Sequence, residues 1–407
     1  FESYAEDGSV VGFDADIAHA VADEIAAHYM GTANPMFVAP ADPAVTIKLG
    51  FLNDATGPIA QFAAPFTFAW GAAMDDLNAM GDDYVFEIIE ADSGCDGTVA
   101  ATAAQSLVDA GVVAVAGAAC SGASIGANAV LSAAGIPMVS YASTSPSLSD
   151  ATAYPHFYRI VPSDALQGQA AADMIMASGV SNTAVVHMTN AYGAGLADAF
   201  VANMNASHVC TQVGYEETTT DFATMAQAVV DAGCTSVLLV SYATDGAGII
   251  EELSGLGYSG AIYGADGIAE EGLAAGMSDT TLVDGIIATK PAAAGAPGMV
   301  AMLFSSLCVA DCAGWIYTAE AFDAVTIAAF AAFTALATPG LAAQDAVMGT
   351  GQGWNGASGT LSFLANGDVP AAGFCIGEFS TATDGTVSYD CARSWDPVNG
   401  ITTATTE

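Results

Sequence analysis

Two segments of the chain place hydroxyl-bearing residues where a predicted strand ends and a predicted helix begins. Ser121 lies in GAACSG (117–122), and Thr144 lies in the loop VSYASTSPSLSD (139–150). The first amides of a helix have no partner within it and the helix dipole is positive there, so such turns are suited to bind a carboxylate. Because the chain has only four Lys plus Arg residues, neutral donors would have to hold an anionic group. The pattern favours binding of a small molecule, such as an amino acid.

The first of these segments also offers a rival chemistry. Residues 122–126 read Gly-Ala-Ser-Ile-Gly, which is the G-x-S-x-G pattern of a hydrolase nucleophile elbow. A serine hydrolase would use Ser124 as the nucleophile and His156, His187 or His208 as the base. We favour the binder, because small residues at a helix start produce this pattern by chance. Labelling of Ser124 by a fluorophosphonate probe would favour the enzyme.

Other sites with a recognisable sequence pattern are missing. The five histidines are scattered without HExxH or paired metal-ligand spacing. No Walker loop and no G-x-G-x-x-G follows a predicted strand, which argues against nucleotide binding. We therefore expect neither a metal nor a cofactor.

Composition limits the partners and the architecture. At 407 residues and 53% hydrophobic content, the chain is long enough for two lobes with separate cores. The formal net charge of −40 argues against binding to nucleic acid or to an anionic membrane. Only 12% of residues are charged, against about 25% in a typical protein. The negative net charge therefore reflects a shortage of basic residues and not an abundance of acidic ones. We expect self-repulsion to make stability depend on ionic strength.

Cysteine usage points to an oxidising, extracytoplasmic location. An even number of cysteines without CxxC or metal spacing favours disulfides, although buried free thiols are the alternative. The eight cysteines form four pairs of sequence neighbours: Cys95 and Cys120, Cys210 and Cys234, Cys308 and Cys312, Cys375 and Cys391.

Short apolar runs alternate with Ala-rich helical stretches from Val45 onward, which predicts βαβ units, parallel sheets and an α/β fold. We expect one lobe over 45–162 plus 290–372 and a second over 163–289 plus 373–391, with a polar, Thr-rich tail over 392–407. The uncharged run 324–343 approaches the length of a membrane span. Threonines and Pro339 interrupt it, which favours a buried helix of the first lobe.

Most of the chain, from Val45 to about Val387, resembles the type I periplasmic binding proteins, specifically the leucine/isoleucine/valine-binding proteins of ABC importers. This resemblance implies a two-lobed Venus flytrap fold, with a parallel sheet flanked by helices in each lobe and a ligand in the cleft. It also implies a disulfide between Cys95 and Cys120. The matching segments are IKLGFLNDATGPIAQF, DSGCDG, GAACSG, VSYASTSPSLSD, RIVPSDALQG, NAYGAG, YGADG, AFDAV and GASGTLSFLANGD.

The loop SYASTSP and the following PSD also resemble the ligand domain of metabotropic glutamate receptors, which shares the fold and binds an α-amino acid. The resemblances together imply a set of ligand-binding residues. Ser121, Ala142 and Thr144 would bind the ligand carboxylate. Asp266 would bind the ammonium group, with Asp164 as a weaker candidate for the same role. The remaining predicted contacts are aromatic: Tyr192 and Tyr242 would cover the ligand from the second lobe, and Phe62 would line the side-chain pocket.

Two residues depart from the branched-chain pattern. That family has Pro where this chain has Tyr141, and Glu where it has Asp266, and both differences alter the pocket size. The family pattern places Lys290, the one spare cation, near the hinge, so we expect a neutral ligand.

The first forty residues resemble a different family, the type II polar-amino-acid binding proteins, of which only a part is present. We expect 1–44 to be an N-terminal extension that is either a docked remnant or a connector that builds a homo-oligomeric or filamentous assembly. The favoured function is an extracytoplasmic solute-binding protein, not an enzyme, that passes a neutral, possibly branched-chain, amino acid to an ABC-transporter permease. The alternative is a structural subunit of an extracellular assembly that has recruited this fold.

Overall fold

The strands and helices follow the predicted alternation from Val45 onward. A computed structural model describes residues 3–4, 10–11, 45–80, 84–292, 298–307, 316–370 and 372–403. The strands are β1 (Ser3–Tyr4), β2 (Val10–Val11), β3 (Val45–Asn53), β4 (Tyr84–Asp92), β5 (Ala114–Ala116), β6 (Met138–Ser140), β7 (Phe157–Arg159), β8 (Thr183–Met188), β9 (Val209–Tyr215), β10 (Ser236–Val240), β11 (Ala261–Gly264), β12 (Ile287–Pro291), β13 (Trp354–Gly356), β14 (Gly359–Leu361), β15 (Phe374–Thr381), β16 (Val387–Asp396) and β17 (Gly400–Thr403). The helices are α1 (Ala63–Ala79), α2 (Gly97–Ala110), α3 (Ser121–Ala133), α4 (Asp164–Ala177), α5 (Ala191–Asn203), α6 (Ala223–Asp231), α7 (Ala243–Gly255), α8 (Met299–Leu307), α9 (Thr318–Ala337) and α10 (Ala343–Thr350).

The first lobe is built on a five-stranded parallel sheet in the order β4-β3-β5-β6-β7. Two helix pairs pack within this lobe, α1 with α9 and α2 with α3. Local sequence sets the ends of α2. The Asp96 carboxylate accepts hydrogen bonds from the amides of Thr98 and Val99, at 2.8 and 2.9 Å, and Gly111 ends the helix with φ of 80°.

The second lobe is built on an eight-stranded sheet in the order β9-β8-β10-β11-β12-β15-β16-β17. The first five strands run parallel, and β15, β16 and β17 extend the sheet in antiparallel pairing. Every residue of β8 and β10 is buried, as expected for central parallel strands covered on both faces. The α/β fold with two lobes is therefore confirmed, with the addition of an antiparallel edge.

Helix α9 returns the chain to the first lobe, as predicted. It packs against β3, β5, β6 and α1, and it is the one helix of the described residues that is long and apolar enough to span a membrane. Because 61% of its most apolar window is buried inside the protein, it is accounted for as a core helix. The helix ends at Ala337, two residues before Pro339.

The observed strands differ from the predicted domain limits at two places. Strand β12 pairs with β15 as far as Pro291, so the second sheet extends past the predicted limit at 289. Strands β16 and β17 pair over residues 393–403, a segment that the prediction assigned to a polar tail. Alternating polar residues at the edge of an antiparallel sheet face solvent on one side, which explains why composition alone suggested a tail.

Three of the predicted cysteine pairs are disulfides in the described chain. Their Cα atoms lie 5.2 Å apart for Cys95–Cys120, 6.0 Å for Cys210–Cys234 and 5.6 Å for Cys375–Cys391. Cys308 and Cys312 lie outside the described residues, and so does the N-terminal extension apart from the antiparallel pair β1–β2. The predicted fourth disulfide and the predicted assembly role of 1–40 therefore stay predictions.

Candidate ligand-binding site

A cavity lies between the two lobes, at the carboxyl ends of the parallel strands, which is where α/β sheets bind ligands. Its volume is about 50 Å³. A single water molecule needs roughly 10–15 Å³, so the cavity has room for several. The structure brings seven of the eight predicted ligand-binding residues together around it: Phe62, Ser121, Ala142, Thr144, Tyr192, Tyr242 and Asp266. The eighth, Asp164, is completely buried and interacts electrostatically with Asp266.

Ser121 and Thr144 line the cavity from the first lobe. Ser121 is the first residue of α3, and its Oγ accepts a hydrogen bond of 3.1 Å from the amide of Ser145. This bond uses a lone pair of the hydroxyl oxygen, so the Ser121 hydroxyl hydrogen remains available to donate into the cavity. Thr144 is buried on the neighbouring loop. The helix start and the two hydroxyl groups make this part of the wall suited to a carboxylate.

Asp266 lies at another part of the wall and is held by three donors. Its Oδ1 accepts from the Tyr192 hydroxyl at 2.8 Å and from Gln167 Nε2 at 3.1 Å. Its Oδ2 accepts from the Tyr317 hydroxyl at 2.6 Å. Burial raises the pKa of Asp266, although these three hydrogen bonds act in the opposite direction. The side chain is thus fixed in orientation, with acceptor capacity left on Oδ2.

Asp164 adds a second buried carboxyl group next to the first. In the described part of the chain, neither of its carboxylate oxygens has a hydrogen-bond partner, although the Thr144 hydroxyl lies near enough to favour the ionised form. Burial, followed by repulsion from Asp266, raises the pKa of Asp164 well above its usual range. Because two buried carboxylates repel each other, this pair favours binding of a proton or of a cationic group.

Gln167 and Tyr317 hold Asp266, and sequence reasoning missed both. Gln167 lies one turn after Asp164 on α4 and also donates to the carbonyl of Thr289 at 3.1 Å. Tyr317 precedes α9 with φ of 65°, a left-handed conformation that costs a residue other than glycine about 1 kcal/mol or more. Such strain is typical of functional sites, but nothing in the local sequence indicated it.

The tyrosines of the second lobe reach across to the first. The rings of Tyr192 and Tyr242 are stacked, with centroids 5.6 Å apart and planes 6° from parallel. The Tyr242 hydroxyl lies 3.5 Å from the Sγ of Cys120 and 3.7 Å from the Sγ of Cys95. Because Cys120 itself lines the cavity, the disulfide is part of the wall that Tyr242 meets.

The rest of the wall is apolar. Ile59, Phe62, Phe66 and Ile316 line the cavity, and the rings of Phe62 and Phe66 lie 5.9 Å apart. An apolar wall of this kind suits a hydrocarbon side chain, whose burial is worth about 1.5–3 kcal/mol for residues of valine to phenylalanine size.

None of the four cationic side chains lines the cavity formed by the described residues. The buried Arg159 donates to Asp368 at 2.7 Å and to the carbonyls of Ser143 and Ser145. Lys290 lies 4.9 Å from the centre of the Tyr389 ring. Lys48 and Arg393 belong to strands β3 and β16. The cavity therefore combines buried carboxyl groups with neutral donors.

Ser124, the candidate nucleophile of the hydrolase alternative, is completely buried. Its hydroxyl lies 2.8 Å from the Ser143 hydroxyl and 3.3 Å from the carbonyl of Ala118. No histidine is among its hydrogen-bond partners within the described residues, and Ser124 does not line the cavity there. This geometry does not favour the hydrolase.

Comparison with known proteins agrees with the fold. The family model "Receptor family ligand binding region" matches residues 69–380. A Leu/Ile/Val-binding protein homolog of Brucella melitensis is 27% identical over 341 residues, which cover 81% of this chain and 90% of that protein. Metabotropic glutamate receptor 6 of the rat is 43% identical over 100 residues, covering 24% of this chain and 12% of the receptor.

Among solved structures, the leucine-binding protein LivK of Thermotoga maritima has a TM-score of 0.75 at 21% identity, over 86% of this chain and 99% of that one. This likeness supports the same fold. The chain belongs to the family of receptor ligand-binding regions, as a type I periplasmic binding protein of the branched-chain amino acid group.

Proposed function

We propose that this protein captures a neutral α-amino acid in the cavity between its lobes, outside the cytoplasm, and passes it to the permease of an ABC importer. One observation carries the choice of ligand. Asp266 lines a cavity that no cationic side chain of the described chain lines, and a second buried carboxyl group, that of Asp164, interacts with it electrostatically. A buried charge needs a partner, and the ammonium group of an amino acid supplies one.

The polar residues of the cavity wall match the two charges of such a ligand. Ser121, Thr144 and the amide of Ala142 would hold the carboxylate, and Asp266 would hold the ammonium group, assisted by Asp164. The side chain would lie against Phe62 and Phe66. The apolar wall favours aliphatic ligands, and the cavity volume of about 50 Å³ favours small ones. The protein would bind without catalysing a reaction, so a fluorophosphonate probe should leave Ser124 unlabelled.

Calorimetric titration with the twenty amino acids tests this proposal. We expect binding of at least one aliphatic or small polar amino acid, weakened about 10- to 150-fold by Asp266→Asn, because a hydrogen bond to a charged group is worth about 1.5–3 kcal/mol. Asp75→Asn makes the same chemical change on an exposed residue and should leave the affinity unaltered.

A ligand without the ammonium group separates this proposal from binding of simple acids. Leucine and 4-methylpentanoate differ only in that group. Equal affinity for the two, or an affinity for leucine that survives Asp266→Asn, would contradict the assignment of the carboxyl groups.

A further inference from the structure

Tyr141 lies behind the apolar wall of the cavity and does not touch the cavity itself. We propose that Tyr141 is a positioning residue that limits the size of the ligand side chain, because it holds the ring of Phe66 forward against the ligand. The inference rests on the proposed function and adds to it the residue that sets selectivity among amino acids.

Three contacts fix the ring of Tyr141. It stacks on Phe51, with centroids 5.4 Å apart and planes 5° from parallel. Its hydroxyl donates a hydrogen bond of 3.0 Å to the carbonyl of Leu52. Its third contact is Phe66, whose ring centroid lies 4.7 Å away at an interplanar angle of 57°. Since Tyr141, Phe51 and Leu52 are all completely buried, the ring has no space into which it could move.

Phe66 transmits this constraint to the ligand. Phe66 lines the cavity and also packs against Tyr141, which does not line it. Protein interiors are packed as densely as organic crystals, so a ring supported in this way yields little. A smaller residue at position 141 would leave free volume behind Phe66, and the ring could retreat into that volume when a larger side chain enters. The cavity would then accept ligands that the native protein rejects.

A purely structural role for Tyr141 makes a different prediction. Loss of a buried ring destabilises a protein whatever else it does, and a general loosening would weaken every ligand by a similar factor. The ratio of affinities for a large and a small amino acid separates the two roles, because only the positioning role changes that ratio.

The experiment measures affinities for valine and phenylalanine by calorimetry in the full chain. We expect Tyr141→Leu to raise the phenylalanine-to-valine affinity ratio about tenfold, since one methylene in a pocket already changes selectivity by about 10-fold or more. Tyr141→Phe, which keeps the ring, should leave the ratio unchanged and only lower the melting temperature. Phe66→Leu enlarges the wall directly and should raise the ratio as Tyr141→Leu does, which provides the test if Tyr141→Leu does not fold.

Three results would overturn the inference. The first is an unchanged ratio in a folded Tyr141→Leu protein, and the second is an unchanged ratio in Phe66→Leu. The third is a shift caused by Tyr141→Leu that persists at full size in the Phe66→Leu background, because Tyr141 would then not act through Phe66. A native protein that binds none of the twenty amino acids would refute the proposed function itself, and that result is recognisable before any variant is made.

Discussion

Asp54 directly follows β3, and its side chain is completely buried. Its Oδ1 accepts hydrogen bonds from the hydroxyl of Ser93 and from the amide of Cys95, whereas Oδ2 has no partner among the described residues. The nearby sulfur atoms of Cys95 and Cys120 belong to a disulfide, so they supply no thiolate that could hold a metal beside this carboxyl group. Burial raises the pKa of Asp54 from 3.8 to about 7, although the hydrogen bonds from Ser93 and Cys95 act in the opposite direction.

This shift makes stability depend on pH with a definite sign. The folded protein holds a proton on Asp54 that the unfolded chain releases near pH 4, so stability falls as pH rises from about 4 to 7. A shift of roughly three pKa units corresponds to about 4 kcal/mol at pH 8. Asp54→Asn removes the ionisation and keeps an acceptor for the hydroxyl of Ser93, so it should remove most of this loss.

Urea unfolding of the native protein and of Asp54→Asn, at pH 5 and pH 8 in the same salt, measures the effect. We expect the free energy of unfolding of the variant to rise by about 2–4 kcal/mol relative to that of the native protein between pH 5 and pH 8. At pH 5 the native protein has lost only part of the stability that ionisation of Asp54 removes. The other buried acids titrate in both proteins and cancel in the comparison. Asp75→Asn, on the exposed face of α1, should show no such gain. A difference between native protein and Asp54→Asn that is the same at both pH values would refute the reasoning.

Two further predictions concern closure of the lobes and the net charge. A Cβ atom on Gly195 of α5 would lie 2.8 Å from Cδ of Pro146 in the other lobe, so Gly195→Ala should weaken every ligand by a similar factor, about tenfold if the strain is about 1.4 kcal/mol. Gly71→Ala, where a Cβ meets nothing within 4 Å, is the calorimetric control, and equal affinities in both variants would contradict the closure argument. With a net charge of −40, raising NaCl from about 0.01 M to 1 M shortens the Debye length from about 30 to 3 Å and should raise the urea midpoint, whereas a midpoint independent of salt would show that self-repulsion is unimportant.

Much of the fold could be predicted because the central strands are short apolar runs that are recognisable in the sequence. The segments TAVVHM and SVLLV became the fully buried strands β8 and β10, and helix-length stretches separate them. The last two strands of the antiparallel extension, β16 and β17, could not be predicted in the same way. Their stability comes from pairing with β15 and with each other, and pairing at an exposed edge requires little hydrophobicity.

The residues of the site likewise divide into those that a sequence pattern indicates and those that it does not. Ser121 and Thr144 could be found because a helix start or a turn has a local sequence pattern, and Asp266 through the likeness of YGADG to a known family. Tyr317 and Gln167 could not be found, because each reaches Asp266 only after α4 and the start of α9 have come together in three dimensions. Their roles depend on contacts between segments 99 and 51 residues apart in the chain.

The distribution of the few cations explains why the site should select a zwitterion over a simple anion. Arg159 is close enough to lower the pKa of Asp164, yet burial prevails, and its guanidinium is already engaged by Asp368 and by the carbonyls of the Ser143–Ser145 loop. Those bonds hold the loop that carries Thr144, a residue that lines the cavity. An anion entering the cavity would meet neutral donors and, beside them, buried carboxyl groups that no lining cation compensates. A zwitterion of the same shape brings the missing positive charge with it, so the scarcity of basic residues itself favours amino acids as ligands.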